Sequence, residues 1–261
     1  MIFKSMMQAL GVGGPSVETV LSNPNVRPGQ MLSGQVHVAG GDHDVEINYV
    51  ALGLATRMEV ESGDNEYSQH VEFSRVAATS HFVLAAGART SFPFQLQIPW
   101  ETPITVARGH ELPGMHVGLH TELEVARAVD KSDLDPIAVH PLPVQEGILA
   151  GFEAIGFHLM RADLERGHIH GVHQELPFYQ EIEYHASGPY AHSIKDAEVT
   201  FLAKPHGMDV VLEFGKRGGL LTAGHDTYSR FTVDYQLGER TDWAPIVDGW
   251  VREAAQRRGL F

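Results

Sequence analysis

Cysteine is missing from all 261 residues of this sequence. The chain can therefore form no disulfide bond, offer no thiolate to a metal and use no thiol nucleophile. A sequence without cysteine is compatible with a reducing compartment. Residues 1–10 contain no continuous apolar segment followed by a cleavage site, so we read no signal peptide. These features predict a cytoplasmic protein.

Long apolar runs are absent as well. No stretch approaches the roughly 20 consecutive apolar residues that a membrane-spanning helix needs, so we predict no transmembrane segment. The composition, with 43% hydrophobic and 20% charged residues, is ordinary for a globular chain. The length suffices for one large domain or for two domains of usual size.

Positive charge is scarce. The 19 lysines and arginines face 33 aspartates and glutamates, which gives a formal net charge of -14. An excess of this size repels phosphate backbones, so nucleic acid is not an expected partner.

The familiar catalytic motifs are also missing. The sequence has no Gly-x-Ser-x-Gly nucleophile elbow, no Walker phosphate loop and no His-Glu-x-x-His. Catalytic triads can assemble from distant residues, so this absence alone does not exclude catalysis. Because nothing in the sequence favours it, we predict that the protein is not an enzyme. We assign no catalytic, cofactor-binding or metal-binding residue.

The sequence does contain clear strand alternation. Apolar side chains occupy every second position of residues 91–99, at Phe92, Phe94, Leu96 and Ile98. Successive side chains of a strand point to opposite faces, so this segment is a half-buried strand. Pro93 lies inside it and cannot donate to a neighbouring strand. The segment is therefore predicted to be an edge strand or to carry a bulge.

Other alternating segments extend the pattern. The longest runs from Met115 to Val125, and Arg127 continues its inward phase, where we favour a position at the strand end over entry into the core. In residues 45–60 the apolar positions change phase, which predicts either a bulge near Tyr49 or burial on both faces. Many strands without alternating helices predict an all-β protein with two β-sandwich domains.

Two segments have helical spacing instead. The first places Val144, Ile148, Phe152 and Ile155 on one face. The second does the same with Trp243, Ile246, Val247, Trp250, Val251 and Ala254. We predict an N-terminal sandwich over residues 1–140, a connector helix over 141–157, a C-terminal sandwich over 158–240 and a C-terminal amphipathic helix over 241–261.

A histidine cluster supports an alternative function. His168 and His170 would share a strand face, and His173 follows closely, so the three could centre a metal-binding enzyme or sensor. Glu165 and Glu175 are further candidate ligands. Glycines flank the pair and favour an exposed hairpin tip, and we therefore predict no metal or other cofactor.

A second alternative is a β-sandwich that binds a small ligand. Phe178, Gln180, Ile182 and Tyr184 alternate onto one strand face. The aromatic rings of Phe178 and Tyr184 could line a pocket on that face.

The order of several short motifs carries a resemblance. They are Gly11–Leu21, Arg27–Gln30, Gly34–Val38, Gly40–Gly41, Ser91–Phe94, Ile98–Pro103, Asp133–Pro136, Gly156–Phe157, Pro177–Tyr184 and Leu212–Glu213. The ordered set covers nearly the whole chain and resembles the bacterial sporulation-control protein family (SpoOM), whose fold is similar to that of arrestins.

The resemblance implies two arrestin-like β-sandwich domains and a non-enzymatic regulatory or adaptor protein. Such a protein would act in the cytoplasm through protein–protein interactions, with partners that the sequence does not identify. The family has no agreed catalytic residues, so none is transferred to this chain. Homo-oligomer formation is left open.

Overall fold

A computed structural model describes residues 13–62, 65–214, 228–237 and 241–257, without the side chains of residues 59–68, 237 and 257. Parts of the predicted N-terminal domain (1–12) and C-terminal helix (258–261) thus lie outside the described residues. The strands of the first half are β1 (Ser16–Leu21), β2 (Asn25–Val26), β3 (Met31–Ala39), β4 (Val45–Ser62), β5 (Asn65–Ala77), β6 (Phe82–Leu84), β7 (Arg89–Gln97), β8 (Val106–Ala107), β9 (His110–Glu111), β10 (Val117–Val125) and β11 (Lys131–Val139). The second half contains α1 (Pro143–Ala154), β12 (Phe157–Arg166), β13 (Phe178–Ala186), β14 (Asp196–Lys204), β15 (Gly207–Phe214), β16 (Ser229–Asp234) and α2 (Trp243–Arg257).

The first half is a β-sandwich. A three-stranded sheet in the order β1-β3-β7 packs against a sheet in the order β2-β11-β10-β4-β5, with β6 paired to β4. The hydroxyls of Thr19 and Thr121 meet at 2.7 Å between the two layers. β7 is an end strand, and its register with β3 runs without a shift through Pro93. The edge-strand alternative predicted from Pro93 is therefore confirmed.

The predicted bulge near Tyr49 is also confirmed. The register of β4 against β10 shifts between Glu124 and Val125, which lie opposite Tyr49 and Ile47. The extra residue accounts for the phase change of the apolar positions. Arg127 follows β10 in a turn, is exposed and has a φ of 60°, so it lies at the strand end rather than in the core.

The connector helix α1 owes its stability to packing. The backbone N–H of Leu142 donates to Oε1 of Gln145 at 2.7 Å, which satisfies one free donor at the helix start. A Cβ atom at Gly147 would overlap the ring of Trp243 in α2. Glycine weakens an isolated helix but here allows the two helices to approach closely.

The second half has a single described sheet, in the order β12-β13-β14-β15-β16. Its inner face is covered by α1 and α2: Phe152 stacks on Tyr184 at 5.1 Å, and Trp250 stacks on Phe231 at 4.9 Å. The predicted β-rich fold with a connector helix and a C-terminal helix is confirmed. In this half, the layer that faces the described sheet is formed by helices instead of a second sheet.

The two halves share one hydrophobic core. Phe73 of β5 contacts Phe178 of β13 edge to face at 5.4 Å, and buried residues of both halves join the same cluster. The side chain of Gln180 also bonds the backbone of Ile104 in both directions, at 3.1 and 2.8 Å. The domain boundaries at residues 140 and 157 thus stay a prediction. Neither α1 nor α2 combines the length and the apolar content that crossing a membrane requires.

Candidate functional site

The outer face of the C-terminal sheet, which points away from the helices, carries a cluster of carboxylates. We call it the acidic face, and its members are Asp163, Glu165, Glu181, Glu183, Glu198 and Glu213. The strand register brings them together: Asp163 lies opposite Glu181, and Glu198 lies between Glu183 and Glu213 on neighbouring strands. Carboxylates at paired positions repel one another, so this arrangement opposes folding unless something compensates for it.

Burial strengthens the repulsion between these carboxylates. The side chains of Glu181 and Glu213 are 5% and 2% exposed. Burial, followed by repulsion from Glu198 and Asp163, raises the pKa of Glu181 to about 9. Burial, with Glu213 and Glu183 next in effect, raises the pKa of Glu198 to about 8. Both groups hold their protons more tightly than an ordinary glutamate.

Three members of the acidic face form a tighter group. Asp163, Glu165 and Glu181 each offer one carboxylate oxygen, and these oxygens lie within 4.8 Å of one another. Across the described residues, this is the only group of three such side chains with the spacing of a metal site. Asp163 and Glu165 are two positions apart on β12 and so point to the same side of the sheet. Glu181 on β13 lies opposite Asp163 in the strand register.

Two buried groups in this region stand out. Oε1 of Glu181 and the hydroxyl of Tyr179, a residue that is 3% exposed, have no hydrogen-bond partner among the described residues. Tyr179 lies opposite Glu165 in the strand register and therefore stands on the same face. Burial, followed by repulsion from Glu181 and Glu165, raises the pKa of the Tyr179 phenol.

Basic side chains compensate for other carboxylates of this face. Arg161, at the rim, lies 2.7 Å from Glu183 and 3.5 Å from Asp163. At the far end, Asp209 accepts hydrogen bonds from Lys204 at 2.7 Å and from Thr232 at 2.9 Å. Burial opposes ionisation of Asp209, but these hydrogen bonds hold its pKa below the usual value.

The predicted histidine cluster lies in the loop between β12 and β13, beside the acidic face. His168, His170 and His173 are all exposed, whereas Ile169 between them is buried. The side chain of Gln174 organises this loop, since it accepts from Ile169 N–H and donates to the carbonyls of Gly167 and Leu176. The three histidines are not brought together as a ligand group in the part of the chain that is described.

The aromatic residues proposed to line a ligand pocket lie in the core instead. Phe178 is 2% exposed and Tyr184 is 0% exposed. Their rings are occupied by protein contacts, Phe178 with Phe73 and Tyr184 with Phe152. They contribute to packing and do not line an open cavity.

The acidic face was not predicted from the sequence, although the sequence contains a signal for it. Asp163 and Glu165 alternate on one strand, and Tyr179, Glu181 and Glu183 alternate on the next. Carboxylates at every second position of a strand share a face. Their alignment across strands depends on a register that the sequence does not reveal.

The fold defines a class of protein: a β-sandwich joined through a helix to a second sheet that two helices cover. A family model described as SpoOM protein matches residues 3–218. The sporulation-control protein spo0M of Bacillus subtilis (strain 168) is 32% identical over 216 residues, which is 82% of this chain and 81% of that protein.

Similarity extends to the structure. The crystal structure of Spo0M from Bacillus subtilis matches with a TM-score of 0.81 and 28% identity, over 93% of this chain and all of the other. The chain therefore belongs to the SpoOM family of sporulation-control proteins. The resemblance found in the ordered motifs is confirmed.

Proposed function

We propose that this chain is a non-enzymatic regulatory protein that acts in the cytoplasm by binding other proteins. The observation that carries the proposal is the family match over residues 3–218, because the named relative is described by the process it controls and not by a reaction. Regulation without catalysis requires a surface that a partner can recognise. The net charge of -14 favours partners with basic surfaces.

A sheet edge offers such a surface. β5 and β6 both pair with β4 on the side away from β10, so together they form one end of the six-stranded sheet. Val76 and Val83, on these two strands, are 43% and 63% exposed. An edge strand can hydrogen-bond an added strand, and nearby apolar side chains give that pairing affinity. We propose that an extended segment of a partner protein adds to this edge.

Crosslinking in cells, followed by mass spectrometry of the crosslinked peptides, tests the proposal. We expect recurrent crosslinks between a partner and residues near β5 and β6. A Val76→Lys/Val83→Lys variant should lose them, because charged side chains on an edge oppose strand addition. Val129→Lys is the matched control, since Val129 is 54% exposed elsewhere on the surface. Crosslinks that persist in the edge variant would refute this docking surface, and turnover of a substrate by the purified chain would refute the non-enzymatic function.

A further inference from the structure

We propose that Asp163, Glu165 and Glu181 form a binding site for a divalent cation that prefers oxygen ligands, with calcium as the expected ion. The site lies on the acidic face, between β12 and β13, and is separate from the sheet edge proposed to bind a partner. It also differs from the histidine cluster considered in the sequence, which lies in the adjoining loop.

The spacing of the three carboxylates fits calcium. Their oxygens lie within 4.8 Å of one another. Two oxygens on one ion cannot be further apart than twice the metal–oxygen distance, which is about 4.6–5.2 Å for calcium. The three oxygens therefore lie close enough for small side-chain adjustments to bring them onto one ion. Magnesium would need the oxygens drawn within about 4.2 Å, so it should bind more weakly.

An independent observation points to a ligand at this position. Glu181 is 5% exposed, and its Oε1 atom has no hydrogen-bond partner in the described part of the chain. The hydroxyl of Tyr179, equally buried on the same face, has none either. Buried polar atoms in folded proteins are nearly always bonded to protein, water or an ion. A cation held by Glu181 would supply the missing interaction.

The surrounding charge also favours a cation. Glu198 and Glu213 add two further carboxyl groups beside the three ligands, and both disfavour ionisation of Glu181 in the absence of a cation. A bound divalent ion is often the largest local charge in a site and offsets such repulsion. Arg161 lies 2.7 Å from Glu183 and 3.5 Å from Asp163, so a single guanidinium is shared between two carboxylates of this face. The ligand set contains only carboxylates, which suits calcium or manganese better than zinc.

Calorimetric titration of the full chain, first stripped with EDTA and dialysed, tests the site directly. We expect calcium to bind saturably with one ion per chain and to raise the melting temperature. Glu181→Gln should weaken calcium binding at least tenfold, because the amide keeps the shape but cannot release a proton to become a charged ligand. Glu111→Gln and His168→Ala/His170→Ala are controls that should bind as the wild type does. Absence of saturable binding up to about 10 mM calcium, beyond the range of even weak protein sites, would overturn the proposal.

A terbium measurement provides a second test, which does not depend on whether the Glu181 variant folds. Terbium occupies calcium sites and emits when a nearby tyrosine is excited. We expect Tyr179→Phe to remain folded and to bind terbium with most of this sensitised emission lost, and calcium to displace terbium from both proteins. Emission that is equal in the wild type and in Tyr179→Phe would place the ion elsewhere and overturn the assignment.

Discussion

The two faces of the C-terminal sheet come from the same five strands but are stabilised in opposite ways. On the inner face, aromatic rings such as Tyr184 and Phe231 pack against the helices. On the outer face, buried apolar side chains lie beside buried carboxylates, and a buried carboxylate needs a specific partner. Asp209 has such partners in Lys204 and Thr232, whereas Oε1 of Glu181 has none in the described chain.

This difference shows where function can be built into a stable fold. Apolar packing is nondirectional, so the inner face is secured by many contacts of similar kind. A buried carboxylate without a partner is costly, and a fold retains it only if other interactions compensate. The inner face therefore accounts for stability, and the outer face is where a ligand can change the free energy of the protein.

Truncation after Thr241 tests the inner face and should have the largest effect. It removes α2, whose residues Trp243, Val247 and Val251 are all buried. The loss of stability should exceed the ~3–5 kcal/mol typical of replacing one buried aromatic by alanine, and the exposed apolar surface should cause association. Chemical denaturation and sedimentation velocity measure the two effects.

Arg252→Ala is the matched control within α2. Its side chain is 64% exposed and pairs with Asp248 at 2.8 Å, so its removal should leave the stability nearly unchanged. If the truncated chain melts at the wild-type temperature and stays monodisperse, α2 is not docked in solution. The contrast between the two faces would then lose its main support.

The inner face was largely predictable from the sequence, and the outer face was not. The spacing of Trp243, Val247 and Trp250 predicts an amphipathic helix, because one helix face must be buried whatever it packs against. Pro93 likewise predicts an edge strand or a bulge from the chemistry of one residue, and the structure shows the edge strand. Such signals depend only on neighbouring residues, so they can be recognised without knowledge of the fold.

The carboxylates of the acidic face come together only through the pairing of strands that are separated in the sequence. Asp163 and Glu181 meet only because β12 and β13 pair in one register, and a shift by one residue would turn one of them to the other face. The loop between these strands bends around Gln174 and buries Ile169, so the neighbouring histidines point into solvent. Histidine spacing alone could not reveal this arrangement of the loop.

Asp135→Asn extends the comparison to the N-terminal half, with a smaller expected effect. Asp133 accepts from the backbone N–H of Thr19 at 2.7 Å, whereas the buried Oδ2 of Asp135 has no partner among the residues described. Burial, followed by repulsion from Asp133 and Glu18, raises the pKa of Asp135 to about 6. We expect the asparagine variant to be more stable than the wild type at pH 8 by on the order of 1 kcal/mol.

The raised pKa of Asp135 determines how the stability difference between the two proteins changes with pH. The folded-state pKa of Asp135 lies above that of an unfolded aspartate, about 3.9, so the folded protein binds this proton more tightly. Wild-type stability should therefore fall, relative to Asp135→Asn, as the pH rises from about 4 to 6, and the gap should stay constant above that range. Denaturation at several pH values, with Glu111→Gln as the control, measures it. A gap that does not change with pH would show that Asp135 ionises normally.

Tyr184→Phe and Tyr179→Phe compare the two faces with the same small change, and their effects should be the smallest. Both hydroxyls are buried and have no hydrogen-bond partner in the described chain. Removing an unbonded hydroxyl while keeping the ring should leave stability unchanged or raise it by up to about 1 kcal/mol. Denaturation in EDTA should give similar results for both variants, because neither ring loses its packing. A clear loss of stability in Tyr184→Phe would mean that a buried water bonds its hydroxyl. The inner face would then also depend on a specific polar partner, and the distinction between the faces would be one of degree.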